Sequence, residues 1–368
     1  MKSVCIVLKK NKNAFHDGKY LSVMQPFCLN GYAFEEVRIL PIDDCARLKE
    51  VLLEIKGGYD NVFVLVDTAL QPFAKQLFSE VFPEGIYQQG KKGAGIFQSP
   101  KQTWFLLVTD DREAGEEYAK EICVPYLQSR YNVHYEKYVI RAIGANEALS
   151  RRLVEEAERL GGEQVFCRYT REFGEDRIEI FYDDRITKRT LDEIVRLFAE
   201  NLNDSIYALE DISIEEQLVR LLKLRGKKVS VTESFTGGGV GARIVSVSGA
   251  SAVYFEGINA YDELSKRKRL GVSEYTLKTQ GAVSDQTAYE MAAGLIATGD
   301  CDISIATTGL AGPKSDRSLL PVGLCYIGIG LKERVFVYRY KFEGTRDEIT
   351  QTGIKYALFL AYKQLKNM

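Results

Sequence analysis

The sequence predicts an α/β protein built in three consecutive segments, residues 1–130, 131–210 and 211–368. Three observations predict it. Apolar runs of strand length alternate with amphipathic stretches of helix length through the first segment, the rhythm of a largely parallel sheet with helical connections. The second segment presents a helix face, two alternating strands and a further helix in turn, which fits a small α+β module. From about Ile212 a fresh helix–strand rhythm starts, and 368 residues exceed the size at which one core stops growing.

Taken in order, VCIVL, VRIL, NVFVLV and WFLLV are the strands of the first segment, with CARLKEVLLEI a helix closed by Gly57 and Gly58 and a charged helix-like stretch beginning at Asp111. In the second segment Leu149, Leu153, Ala157 and Leu160 mark one helix face; QVFCRYT and RIEIFY alternate as strands; LDEIVRLFAENL is the second helix. The third segment opens with a helix, EEQLVRLLKLRGKK, stopped at Gly226, and a strand, KVSVT. Ser284 precedes Ala288, Met291, Ala292, Leu295 and Ile296 on one helix face, with Gly299 as the stop. DISIA is a strand, PVGLCYIGIG and RVFVYRYKF form a hairpin around Lys332 and Glu333, and Thr345 with Glu348 makes a capping box for a terminal helix.

Composition narrows the function. The 49 basic and 51 acidic residues leave a net charge of −2, which gives no reason to expect nucleic acid or an anionic membrane as partner. MKSVCIVLKKNK reads as a first strand rather than a secretory leader, and no segment approaches a membrane span, so a cytoplasmic location is expected. Seven cysteines without a CxxC pair suit a reducing compartment and read as small buried hydrophobes. The two histidines, His16 and His134, both lie in the first 135 residues. A His₂-type metal site is thereby nearly excluded, no metal or cofactor is expected, and acid/base chemistry elsewhere falls to carboxylates, Lys, Tyr, Cys or water.

The stretch VTESFTGGGVGARIV, residues 231–245, carries the chemical signal. Glycines between a strand and a helix let backbone N–H groups face an anion or a developing oxyanion, and Ser234 beside them is placed to attack. Equally, Ser234 or Thr236 could simply cap the helix. The glycine spacing is neither GxGxxG, although Glu256 imitates a ribose-binding acid, nor, at GLAGPKS, a Walker loop. With histidine absent here, lysine is the substitute base; Lys266 lies in SKRKR, where crowded positive charge favours its neutral form, or else forms part of a solvated basic face. Tyr261 could share the proton or merely pack. Thr307 and Thr308 end a strand where hydroxyls face a site, or form a turn. Arg346 could clamp a phosphate, or be a surface residue. Tyr261 and Lys266 are five residues apart, so a bend or loop is needed to bring both to Ser234.

Together TESFTGG, SGASAVYFEGINAYDELSKRKRLGV, TQGAVSDQTAYEMAAG and TTGLAGP followed by PVG resemble the C-terminal, nicotinamide-nucleotide amidase domain of the CinA family, over about 150 residues. The resemblance implies a cytoplasmic, metal-free hydrolase of the pyridine nucleotide cycle in NAD metabolism, a homodimer or larger homo-oligomer, converting nicotinamide mononucleotide to nicotinate mononucleotide and ammonia. By motif position it implies catalytic roles for Ser234, Tyr261, Lys266 and Thr308, and substrate contacts from Thr236, Gly237, Gly238, Thr307, Gly309 and Arg346. Ser234 would attack the carboxamide, neutral Lys266 aided by Tyr261 would take its proton, and glycine-loop N–H groups with Thr308 would hold the oxyanion. Arg346 and the loop near Thr307 would hold the phosphate.

Two departures stand out: Phe235 where the family commonly has cysteine, and KSDRSLL in place of a glycine-rich segment. Upstream, the resemblance implies a doubly wound, molybdopterin-binding-like domain over 1–130 and a KH-like α+β module over 131–210, before the amidase domain of 211–368. VLKKNKNAF and LVDTALQPF replace the family's glycine- and acid-bearing loops, so its ADP-ribose pyrophosphatase activity is expected to be lost or altered there. Two other readings remain beside the amidase: a non-catalytic, competence-associated binding or regulatory protein, and a pyrophosphatase acting through the first domain.

Overall fold

A computed structural model describes residues 2–11, 19–83, 85–90, 94–99, 101–314 and 320–368. His16, most of KSDRSLL and part of VLKKNKNAF lie outside the described residues. The chain divides into two units, residues 1–136 with 181–186, and residues 137–180 with 187–368.

The first unit is built on strands β1 (Ser3–Lys9), β2 (Glu36–Pro41), β3 (Asn61–Val66), β4 (Ile86–Gln89), β5 (Gly95–Gln98) and β6 (Thr103–Val108), in the order β2-β1-β3-β6-β5-β4. The first four are parallel; β5 and β4 run antiparallel, a hairpin that the apolar pattern did not reveal. Its helices are α1 (Lys19–Leu29), α2 (Cys45–Ile55), α3 (Gln71–Val81), α4 (Arg112–Tyr118) and α5 (Val124–Tyr131). Side chains alternate across the sheet, so Val4, Ile6, Val62, Val64 and Trp104 pack with Leu48, Leu52 and Phe78 of α2 and α3. Cys5, Val7, Phe63, Leu65 and Phe105 pack instead with Val23, Phe27 and Leu127 of α1 and α5. Both faces are covered, and that is why these strands read as continuous apolar runs. The doubly wound α/β arrangement is therefore present.

The second unit begins with β7 (Tyr135–Ile143), α6 (Glu147–Gly161), β8 (Val165–Glu172), β9 (Glu175–Asp183), α7 (Lys188–Leu202) and β10 (Ile206–Ala208), the sheet running β10-β7-β9-β8. The buried face of α6 is Ser150, Leu153, Ala157 and Gly161, one residue round from the expected stripe, because Leu149 and Leu160 sit at its margins. The buried Glu175 carboxylate accepts from Arg141 at 2.6 Å and also from Tyr207 and Lys355.

The remainder is a three-layer domain. Strands β11 (Val229–Glu233), β12 (Tyr254–Asn259), β13 (Ile303–Gly309), β14 (Leu324–Leu331) and β15 (Arg334–Lys341) form a sheet in the order β12-β11-β13-β14-β15. The first three are parallel and the last two antiparallel to their neighbours. Helices α8 (Ile214–Arg225), α9 (Gly239–Val245) and α13 (Arg346–Lys366) cover one face, where Val229, Val231, Ile303 and Ile305 meet Leu218, Ile244 and Leu358. On the other lie α10 (Glu263–Leu270), α11 (Glu274–Thr279) and α12 (Asp285–Ala297), with Ala306 against Leu270, Leu277 and Met291. The helix signals act as expected: Gly226 ends α8 at φ 59°, Ser284 accepts from the Thr287 N–H, and Thr345 with Glu348 closes a capping box on α13. Among the cysteines, Cys5, Cys123, Cys301 and Cys325 are buried, whereas Cys45 is exposed and Cys28 and Cys167 are intermediate, so only four behave as core residues. No described helix is long and apolar enough to cross a membrane.

Helix α12 packs against the end of α10 through Gly294, where an added Cβ would lie 2.1 Å from the Leu270 carbonyl oxygen. Backbone cannot swing aside as a side-chain tip can. Gly294→Ala is expected to cost roughly 1–3 kcal/mol in denaturant titration, as overpacking of a tight interior does.

Candidate active site

Strand β11 is the point where the sheet's connections part, with β12 on one side and β13 on the other. A crevice opens outside the carboxyl ends of parallel strands at such a place. Here the chain leaves β11 through Ser234, whose N–H donates to the Thr307 carbonyl at 3.0 Å, while the Ala260 N–H donates to the Glu233 carbonyl at 2.8 Å. The end of β11 is thereby pinned to both neighbours. The turn then reverses through Gly237 and Gly238, at φ 60° and 99°, values that strain any residue with a Cβ.

The five-residue offset between Tyr261 and Lys266 is resolved by a helix start. Asp262 caps α10, leaving Tyr261 just outside it and Lys266 on its inner face. Lys266 is only 1% exposed, and its Nζ donates to Ser234 Oγ at 3.0 Å, to the Ala260 carbonyl at 2.7 Å and to the Tyr261 carbonyl at 3.2 Å. Desolvation pulls its pKa down from 10.5 to about 8, against the opposing pull of Glu263 and Asp262. Burial, rather than the crowding of positive charge in SKRKR, is the cause. The solvated basic face is real for Arg267, Lys268 and Arg269, which are exposed, with Arg267 paired to Glu274.

The other sequence-predicted residues fall into place unevenly. Neither Ser234 nor Thr236 caps α9, whose N-cap is Gly238 without a side-chain bond. The Thr236 hydroxyl instead meets that of Thr307 at 2.6 Å, bracing the turn against β13. Thr308 Oγ1 donates to the Ala282 carbonyl at 2.6 Å, which occupies its hydrogen and leaves its oxygen as an acceptor. Tyr261 meets Lys266 through its carbonyl, while the residue is 65% exposed and lines the same cavity as Ser234 and Lys266. Arg346 donates to the Gly312 carbonyl at 2.6 Å.

The glycine turn differs most from expectation. The N–H groups of Gly238 and Val240 donate to Glu233 Oε2 and that of Gly241 to Oε1, while the Gly237 N–H goes to the Ser234 carbonyl. Gly237 and Gly238 therefore offer no amide to a ligand. Among the described residues of the turn, only the N–H groups of Phe235 and Thr236 have no acceptor.

These elements enclose a cavity of about 300 Å³ whose wall includes Ser234, Lys266, Thr308, Gly309, Tyr261 and Arg346. Phe235 and Lys314, the latter the first residue of KSDRSLL, also line it, so both departures from the family pattern reach the cavity. Phe235 packs with Ala311, Cys325 and Ile349, so the departure from cysteine fills a portion of the wall. A wider cleft of about 700 Å³ runs along β2 and α2 of the first unit, but the Asp44 carboxylate within it already caps α2. Among the described residues no cluster of three or more His, Cys, Asp or Glu could hold a metal ion.

Residues 211–365 match the family model of the CinA C-terminal domain. A competence-damage inducible protein of Caldicellulosiruptor saccharolyticus is 36% identical over 250 residues, which are 67% of this chain and 61% of that protein. A CinA-like protein of Kosmotoga olearia is 35% identical over 238 residues, 64% of this chain and 58% of the relative. The chain thus spans about three fifths of the length of these relatives. Among solved structures, a competence-damaged protein (CinA) superfamily protein of Escherichia coli aligns with 46% of this chain and 99% of its own, at 26% identity and a TM-score of 0.41. The molybdopterin biosynthesis enzyme MoaB of Thermus thermophilus aligns with 35% of this chain and 94% of its own, at 13% identity and a TM-score of 0.27. Residues 211–365 are thus a CinA C-terminal domain.

Proposed function

We propose that the C-terminal domain is a serine–lysine amidase that hydrolyses the carboxamide of nicotinamide mononucleotide to nicotinate mononucleotide and ammonia. The observation that carries this reading is the buried Lys266 amine 3.0 Å from Ser234 Oγ. A neutral amine has two N–H donors and one lone pair. The Ala260 and Tyr261 carbonyls take the two donors, so the lone pair faces the serine hydroxyl and can accept its proton.

As Ser234 Oγ bonds to the carboxamide carbon, its proton passes to Nζ and the carbonyl oxygen becomes an oxyanion. The Phe235 N–H, next after the nucleophile and without a protein acceptor among the described residues, supports that charge. Collapse expels ammonia with the proton returned by Nζ, leaving an acyl ester. Water attacks this ester with Lys266 again as base, and Ser234 departs with the proton. Tyr261 serves through its carbonyl, as a wall of the amine's cradle.

Size and charge support the mononucleotide. A cavity of about 300 Å³ stands at the small end of ligand pockets, and Arg346 and Lys314 give its wall two cations suited to a phosphate. Neither has a carboxylate partner among the described residues.

Ser234→Ala and Lys266→Met are each expected to cut ammonia release by at least about 10³-fold. Because the neutral amine is the base, kcat/KM should rise with pH up to about 8 and level above it. Full ammonia release by Lys266→Met at neutral pH would remove the lysine from the scheme. Arg346→Ala should raise KM on the order of tenfold with kcat nearly unchanged, as loss of a contact made equally in ground and transition states does.

Stability carries an independent sign. Between about 8 and 10.5 the unfolded chain holds the lysine proton that the folded chain has released, so this residue's contribution to stability rises with pH across that window. Lys266→Met is expected to melt higher than the unsubstituted chain at pH 7, with the gap narrowing as pH rises; melts at pH values below and above that window check it.

A further inference from the structure

Glu233 ends β11 immediately before Ser234 and takes no role in the proton transfers above. It is 1% exposed, and no lysine or arginine among the described residues pairs with it. A buried carboxylate in such a place is costly unless its oxygens are well bonded. Three backbone donors supply those bonds: Gly238 and Val240 at 3.0 Å on Oε2, and Gly241 at 2.8 Å on Oε1. Bonds from N–H groups to a carboxylate are of the stronger, charge-assisted kind.

The arrangement clamps the turn from both sides. Its near side is held by the Ser234 N–H on Thr307 and the Gly237 N–H on the Ser234 carbonyl; its far side is held by Glu233. The amides that a glycine turn would otherwise present to a phosphate are taken from within by the chain's own acid. Among the described residues the turn amides left without an acceptor are those of Phe235, directly after Ser234, and Thr236.

We infer that Glu233 is a positioning residue, whose carboxylate fixes the 234–238 turn so that Ser234 Oγ meets Lys266 Nζ and the Phe235 N–H stays open to the reacting oxygen. This rests on the serine–lysine reading. Glu233→Gln keeps the volume and one acceptor oxygen but loses the charge and sets an NH₂ group against the donors; Glu233→Asp keeps the charge one methylene short.

Both full-length variants are compared with the unsubstituted chain by thermal melting, by kcat and KM for nicotinamide mononucleotide, and by the rate at which phenylmethylsulfonyl fluoride sulfonylates Ser234. In that labelling the serine oxygen bonds to sulfur, fluoride leaves, and the hydroxyl proton passes to Lys266. The Gln variant should remain folded while labelling and kcat fall about 100-fold, the cost of a nucleophile moved by an ångström, and KM changes by less than about twofold. The rise of activity with pH should keep its midpoint near 8, and Asp should recover some of the loss. Unchanged labelling and kcat in the Gln variant would overturn the inference, as would losses that merely track unfolded protein or a KM effect alone. Should the Gln variant not fold, the Asp variant is judged by the same rates per folded molecule. Labelling of the unsubstituted chain without deamidation refutes the nicotinamide substrate and leaves the test of Glu233 intact; no labelling at all overturns both.

Discussion

The desolvation of one amine organises the site. Lys266 is a residue type that almost always keeps its charged end in water, yet here it is 1% exposed on the inner face of α10. Three oxygens receive its nitrogen, two of them main-chain carbonyls from the segment joining β12 to α10. That segment is held in turn because the Ala260 N–H is bonded to the end of β11. These supports hold the amine out of water, and that burial is what lowers its affinity for a proton.

A second constraint concerns the glycines. A strand–glycine–helix sequence suggests an anion cradle, but the same geometry serves equally well to bind a side-chain carboxylate from the preceding residue. Glu233 does the latter. Its three bonds turn a potentially adaptable loop into a fixed one and occupy the Gly238, Val240 and Gly241 amides, leaving those of Phe235 and Thr236 without an acceptor among the described residues. Positive charge in the cavity wall comes from Arg346, set by the Gly312 carbonyl, and from Lys314 in the same loop as Gly312.

Packing away from the cavity also sets how the elements around it are spaced. Gly294 allows α12 to approach the end of α10 at backbone contact, and α10 carries the lysine. Phe235 anchors the opposite wall against Ile349 at the start of α13, the helix that also bears Arg346. Ser234, Lys266 and Arg346 are thus mounted on separate elements whose mutual spacing is set by apolar contacts, which is how a sheet with helices on both faces gathers side chains at a strand end.

Much of the fold was legible in the sequence by itself. Periodicity and caps located the strands β1, β3, β6, β11 and β13 and the helices α2, α7, α8, α12 and α13, because each carries its own local signal: an apolar run, a stop glycine or a capping pair. Motif order likewise singled out Ser234 and Lys266. The β4–β5 hairpin escaped because its short strands are flanked by polar residues and lean on tyrosine and phenylalanine rather than alternation. Only the tertiary structure decided what those site residues are. Whether Lys266 is solvated or dehydrated, whether a hydroxyl caps a helix or faces an amine, and whether glycine amides bind a ligand or Glu233 are all questions of which distant groups arrive at one point. Proton affinity and hydrogen-bond partnership depend on that surrounding space, and no local pattern of residues encodes it.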